Sequence, residues 1–217
     1  MNNIFYLDIE TIPSQEGWVK EKIEESISHP KTMKKEETIK NWYETEFDVA
    51  VEKALEKTSF NGAMNHIVCV SVAKNDDAPK AFYIKNVIDE KKNLEMFFDY
   101  IRSDAEIGDV FCGHNISGFD MKIIKQRAII LDLVIPSFLP VNTKPWDRNP
   151  FDTMIQWDSR EFISMDTLLK AMKYEGGKGD VDGSMVYGMW KQKRFEEIAK
   201  YCNEDVEKVR FIAKKMM

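Results

Sequence analysis

The run Phe5-Tyr6-Leu7-Asp8-Ile9-Glu10-Thr11 sets two carboxylates into an otherwise apolar, strand-like segment. Successive side chains of a strand point to opposite faces, so Asp8 and Glu10 share one face and Leu7 and Ile9 the other. Neighbouring carboxylates repel each other and are costly to desolvate unless a cation lies between them, which makes the pair a candidate divalent-metal site. Taken alone, the same residues also describe a strand end with two solvated acids. The pair needs partners elsewhere in the chain.

Two further clusters offer them. Gly113-His114-Asn115-Ile116-Ser117-Gly118-Phe119-Asp120 lies where a strand gives way to a helix. Ser117 and Asp120 have the spacing of a capping box, which would make Asp120 a helix-start residue and nothing more. The same junction is where α/β folds gather their ligands, which would make it a site acid. His114 has no second His or Cys at ligand spacing and reads as a satisfied, partly buried histidine. Near the end of the chain, Phe195, Ile198, Ala199, Cys202, Val206, Val209 and Ala213 form a helical apolar stripe, and Asp205, seven residues after Ile198, falls on it. A carboxylate turned toward a core edge calls for a cation, and Tyr201, one helical turn earlier, can reach the same point. The alternative is an edge-of-core tyrosine and a solvated aspartate.

The elements that must position these residues follow from periodicity. After Thr11-Ile12-Pro13 the pattern turns helical: Ser14 is a candidate cap for a helix carrying Val19, Ile23 and Ile27, which stops at His29-Pro30. A second helical stretch spans about Thr32 to Lys57, with Trp42 or Tyr43, Phe47, Val51 and Leu55 on one side. This block interrupts two strands and reads as an insertion of about residues 14–60, closed by the turn Asn61-Gly62. His66 to Ala73 is a buried strand, Lys80 to Ile84 a third, and Asp109 to Gly113 a fourth. Leu94, Phe97, Phe98 and Ile101 mark one core helix and Met121 to Leu131 another. Pro136, Pro140, Pro145 and Pro150 give an extended loop before a fifth strand from Phe151 to Trp157. Three consecutive strands followed by alternating strands and helices predict a single α/β domain over residues 1–217 with a mixed sheet. Asp152 and Asp166 read as structural, following a strand and starting a helix.

Composition narrows the setting. The chain has 217 residues, 43% of them hydrophobic, enough for a sizeable core. Cys69, Cys112 and Cys202 are odd in number and widely spaced, with neither a disulfide framework nor zinc spacing. No membrane span or basic, apolar leader is evident, so the expectation is a soluble, cytoplasmic protein. A net charge of -6 argues against an indiscriminate polyanion coat. It leaves nucleic acid open, because acids gathered around a metal do not repel phosphate once the metal is bound. Lys122, Lys125, Arg127, Lys144 and Arg148, with Lys191, Lys193 and Arg194, form either a nucleic-acid track or an ordinary solvated surface.

Asp-x-Glu in the first strand, Asn-x-x-x-Phe-Asp after a later one and Tyr-x-x-x-Asp in the last helix occur in one order at compatible separations. In this the chain resembles the DEDD exonucleases of the ribonuclease H-like superfamily, and Tyr201 matches their tyrosine-bearing subclass; Lys200 stands where the histidine subclass has His. The runs Gly177 to Ser184 and Tyr201-Cys202-Asn203-Glu204-Asp205 are similar to predicted 3′-5′ exonucleases related to the proofreading domain of family B DNA polymerases. The resemblance covers residues 1–13 and about 61–217, and does not reach the helical block from Ser14 to Phe60.

The resemblance implies a ribonuclease H-like, mixed five-stranded sheet flanked by helices, with the helical insertion after the first strand. It implies two magnesium or manganese ions about 3.5 to 4 Å apart. Asp8 would bridge them, Glu10 and Asp205 would complete the first site, and Asp120 would serve the second. Tyr201, whose ordinary pKa is about 10, would orient the attacking water. Asn115 and Phe119 match positions that contact the terminal nucleotides, with Thr11 as a further contact. The function so implied is a metal-dependent 3′-5′ exonuclease acting on single-stranded or frayed DNA ends, any proofreading role being exercised in trans to a polymerase. An RNA 3′-end trimming enzyme and a nucleic-acid-binding or partner-docking module are the alternatives. The helical block is either a packed decoration or a cover over the cleft, with Lys31, Lys34 and Lys35 available for phosphate.

Overall fold

The computed structural model describes residues 2–144, 147–176 and 181–217. Pro145 of the proline-rich loop and Gly177 to Asp180 of the glycine-rich run lie outside the described residues. A five-stranded mixed sheet is built from β1 (Ile4–Ile12), β2 (His66–Lys74), β3 (Lys80–Tyr83), β4 (Val110–Gly113) and β5 (Phe151–Asp152), in the order β3-β2-β1-β4-β5. The β1–β2 and β2–β3 pairs are antiparallel, and the β1–β4 and β4–β5 pairs parallel. β1 is therefore the strand at which direction changes, and its carboxyl end is the natural place for a site.

The parity of β1 divides the core. Phe5, Leu7 and Ile9 face a cluster completed by Leu94, Phe97, Phe98 and Ile101 of α4 (Glu90–Asp104) and Met121, Ile123 and Ile124 of α5 (Asp120–Ile130). Tyr6 and Ile12 face the opposite side, where α9 (Phe195–Met216) lays Ile198, Cys202, Val206 and Val209 across the sheet. Asp8 and Glu10 share the parity of Tyr6 and therefore face α9. The β1–β2 register shifts between Glu10 and Thr11, so that Glu10 stands opposite Cys69 and Thr11 opposite Ile67. This bulge lies where the strand leaves for the insertion.

The helical block consists of α1 (Gly17–Ser26), α2 (Glu36–Thr45) and α3 (Phe47–Glu56), ending in a 3₁₀ turn over Lys57–Phe60. Ser14 does not cap α1. It is buried in the approach, where its hydroxyl accepts from Glu16 N–H at 3.2 Å, and the helix starts after Glu16. The long second helix expected from the sequence breaks at Glu46, and Trp42, Tyr43 and Phe47 cluster across the break. Only Val19 and Val51 of the three helices are buried. The root is pinned by hydrogen bonds instead: Thr11 Oγ1 and Asn65 Nδ2 both donate to Ser59 O, at 2.9 and 2.7 Å, and Ser14 N–H donates to Thr58 Oγ1 at 2.9 Å.

β5 is shorter than the predicted strand because Asp152 ends it. Its carboxylate accepts from Met154 N–H and starts α6 (Thr153–Trp157), so residues from Thr153 onward are helical. α7 (Met165–Ala171), which contains Asp166, is capped by Ser164, and α8 (Val186–Lys191) leads to α9. Among the described residues no helix is long and apolar enough to cross a membrane.

Arg127 is not part of a surface track. It is buried and donates to Glu90 from Nε at 2.8 Å and from Nη2 at 2.6 Å, while Glu90 also accepts from Ile67 N–H at 2.9 Å and lies 2.9 Å from His66 Nδ1. Withdrawal from water would raise the Glu90 pKa, but the bonds from His66, Arg127 and Ile67 outweigh it and hold the carboxyl below its usual range. This group ties β2, α4 and α5 together next to the insertion. Arg127→Met should cost about 3–5 kcal/mol, because it strands a buried carboxylate. Urea denaturation would show this as a lowered midpoint, and an unchanged midpoint would show that water replaces the guanidinium at no cost.

Candidate active site

β1 pairs with β4 only from Ile4 to Tyr6 and then runs on past it. The main-chain N–H of Ile9 is left without a β4 partner, and Asp120 supplies one: its Oδ1 accepts from Ile9 N–H at 3.1 Å. The capping-box expectation for Ser117 and Asp120 fails for this reason. Asp120 opens α5, no side chain caps that helix, and the carboxylate reaches over to β1 instead.

The loop that carries Asp120 is held from behind. Asp152 accepts from Asn115 N–H at 3.0 Å and Ser117 N–H at 3.1 Å, in addition to capping α6. Asn115 adopts a left-handed conformation (φ 58°), which asparagine tolerates better than most residues. A Cβ on Gly118 would come within 2.4 Å of Asn115 Oδ1, so a larger residue there would displace the Asn115 side chain. His114 is satisfied on both ring nitrogens, by Thr153 Oγ1 at 3.0 Å and Ile163 O at 2.9 Å. It is tied into the fold and is no metal ligand.

α9 brings the remaining groups. Asn203 Oδ1 accepts from Ser71 Oγ at 2.6 Å, and Ser71 stands directly opposite Asp8 in the sheet, which fixes the helix over the acids. Asp205 is buried and accepts from Lys208 Nζ at 2.6 Å and from the Tyr201 hydroxyl. The Lys208 ammonium also lies 5.5 Å from the Tyr201 ring centre. The Cys202 thiol donates to Asp8 Oδ2 at 3.4 Å and to Asp8 O at 3.5 Å.

Asp8 and Glu10 thus come together at the exit of β1, with Asp205 and Asp120 near enough for their charges to act on both. Burial first, then the charges of Asp205 and Asp120, push the Asp8 carboxyl well above its ordinary range. Glu10 is raised in the same way, by burial and by Asp8, Asp205 and Asp120. Burial raises Asp120 against the hydrogen bonds from its own and the Ile9 N–H, and raises Asp205 against Lys208 and Tyr201. Such a set is short of positive charge. Ligand atoms of Asp8, Glu10 and Cys202 lie within 4.8 Å of one another. The carboxylate oxygens suit a hard divalent cation of the magnesium class. The thiol does not: burial and its neighbours Cys69 and Asp8 keep it protonated, and it serves as a donor to Asp8. The residues therefore fit a magnesium-type site made of oxygens, with Cys202 beside it.

Burial, followed by the charges of Asp205 and Glu10, also drives the Tyr201 phenol far above its ordinary value, so it holds its proton. Phe119 packs half-buried on the core, its ring centre 6.1 Å from that of the exposed Phe60. Thr11 gives its hydroxyl to the insertion root and lines a cleft of about 720 Å³ with Glu10, Phe60 and Phe119. That cleft is also lined by Lys53, Lys57 and Lys191. Lys31, Lys34 and Lys35, the cations expected near the Pro30 break, are not among its lining residues.

Residues 59–212 match the sequence model of a family described as predicted 3′-5′ exonuclease related to the exonuclease domain of PolB. The chain belongs to this family. The match takes in Asn115, Phe119, Asp120, Tyr201 and Asp205 but begins after β1 and α1–α3, so the Asp8/Glu10 strand is joined to the family motifs by the fold. A solved family B DNA polymerase from the hyperthermophilic archaeon Pyrobaculum calidifontis is similar to the whole chain with a TM-score of 0.60 and 18% sequence identity. The chain spans 24% of that polymerase, and the likeness is one of fold. No curated protein matches the chain in sequence.

Cys202, Lys208 and Asp152 act on the site although their residue types and spacing did not mark them for it. The signal for the first two was their position on the turns of α9 that flank Asp205; for Asp152 there was none, since its partners lie some 35 residues earlier.

Raised carboxyl pKa values mean that the folded protein keeps protons which the unfolded chain has released. Without metal, stability should therefore fall as pH rises from the ordinary carboxylate range of about 4 toward neutrality. Asp8→Asn should flatten that fall and raise the metal-free thermal midpoint at neutral pH by a few degrees. A lower midpoint in the variant at every pH would mean that the hydrogen bonds made by Asp8 outweigh its repulsion from the other acids.

Proposed function

We propose that the chain is a metal-dependent 3′-5′ exonuclease that removes nucleoside 5′-monophosphates from single-stranded or frayed DNA ends. The observation that carries this reading is the close pair Asp8 and Glu10, under-neutralised and acted on by the charges of Asp120 and Asp205, in a member of a family of predicted 3′-5′ exonucleases. Two divalent ions, when bound, would supply an activated water and a counter-charge for the departing 3′ oxygen.

The chain's own residues divide the rest. Asp8 interacts with both Asp205 and Asp120 and is the group suited to bridge. Glu10 and Asp205 would hold one ion with it, and Asp120 would hold the other. Tyr201 keeps its proton and donates it in a hydrogen bond, so it orients water and does not take a proton from it. Cys202 holds the Asp8 carboxylate at a fixed angle. Asn115, Phe119 and Thr11 contact the terminal nucleotides, Phe119 by stacking, which accepts any base. A proofreading role would be exercised alongside a polymerase carried on another chain.

Hydrolysis of end-labelled DNA and matched RNA tests the reading. Cleavage should start at the 3′ end, require magnesium or manganese, fail in calcium and stop with excess chelator. Asp8→Asn and Asp205→Asn should each remove nearly all of it. Tyr201→Phe should slow it by about ten- to a hundredfold, less than the loss of a full proton-transfer group. Cleavage that persists in chelator, or wild-type turnover by Asp8→Asn, would overturn the assignment; faster cleavage of the RNA would shift the substrate.

A further inference from the structure

The cleft that begins at Glu10 and Thr11 has one wall from the helical block, whose three helices precede the family match, and one from α8. Lys53, Lys57 and Phe60 stand on the first wall, Tyr187 and Lys191 on the second, and Phe119 joins them in the lining. Its volume of about 720 Å³ suits a ligand the size of one or a few nucleotides. Phe60 is 69% exposed and tilted 56° against Phe119, which leaves a free aromatic face next to the acids. Three ammonium groups and a free aromatic face are the chemistry that single-stranded nucleic acid uses for phosphate and base.

One contact bridges the two walls. Lys191 Nζ on α8 lies 3.5 Å from Glu52 Oε1 on α3, and 4.5 Å from the centre of the Tyr187 ring. Both side chains of the ion pair are at least half exposed, so the pair is weak and readily exchanged. Lys191 lines the cleft and Glu52 does not, so a phosphodiester in the cleft meets the ammonium as a counter-charge and competes for it with a carboxylate outside the lining.

We propose that Lys191 is a phosphate-binding residue for the 3′-terminal segment of a single strand, and that Glu52 occupies it until the strand displaces the carboxylate. The inference rests on the exonuclease reading and extends it to a contact between α8, inside the family match, and α3, outside it. It makes Lys191 and Glu52 act with opposite signs. A purely structural tether would make them act with the same sign, because losing either end breaks the same bond.

The test is equilibrium binding of a fluorescently labelled single-stranded oligodeoxynucleotide, read by anisotropy in calcium so that no turnover is needed. Lys191→Gln should weaken binding about three- to tenfold and reduce the salt slope by about 0.7, the share of one single-strand phosphate contact. Glu52→Gln should tighten binding by about two- to fivefold, the range of an exposed ion pair. Lys191→Arg should keep wild-type affinity. Shifts in the same direction for Lys191→Gln and Glu52→Gln, or no shift in either, would overturn the proposal. Absence of hydrolysis in magnesium would instead count against the exonuclease reading, since binding is measured separately.

Discussion

Asp8 and Glu10 are held together where β1 outruns β4, within reach of the charges of Asp120 and Asp205, and the rest of the molecule is arranged to hold these acids there against their repulsion. Each is withdrawn from water, and Asp8 and Glu10 feel the charge of the others. Lys208 meets part of the demand at Asp205, and the Cys202 thiol and the Ile9 N–H contribute hydrogen bonds. What these do not neutralise is the local deficit that a divalent cation would fill. The surrounding scaffold, from the apolar stripe of α9 to the Asp152 brace behind Asn115, keeps the acids from relaxing apart.

The parts of this site that were legible in the sequence are those set by local periodicity. Alternation along β1 places Asp8 and Glu10 on one face because a strand has a period of two whatever packs on it. The heptad separation from Ile198 places Asp205 on the buried face of α9 for the same kind of reason. Asp120 was legible as a site acid from its place at a strand-to-helix junction, with a capping box as the alternative, but its hydrogen-bond partner was not legible. That partner is the Ile9 N–H, 111 residues away in the chain and beyond the reach of a local rule. The same limit explains β5: a run rich in apolar residues reads as strand, while Asp152 turns it into a helix after two residues.

The insertion shows the limit from the other side. Its helices were visible from their apolar spacing, but spacing could not say which cations face inward. Lys31, Lys34 and Lys35 stand out in sequence because they cluster near a proline; Lys53, Lys57 and Lys191 do not cluster, and the fold gathers them from α3, the 3₁₀ turn and α8 into one cleft. Arg127 is the converse case. It sits among basic residues that read as surface, yet its side chain closes a buried ion pair with Glu90.

Anchoring of the insertion follows from how little of it is buried. Three helices with two fully buried apolar residues gain little from packing, so their position depends on the hydrogen bonds that Thr11, Ser14, Thr58 and Asn65 make at the root. Those bonds begin one residue beyond Glu10. The β1–β2 ladder shifts register at the bulge there, so the insertion leaves the sheet where the pairing is already interrupted. The weak Glu52–Lys191 bridge is then a contact between a lightly anchored wall and one fixed to α9, and its exchange for phosphate costs the core nothing.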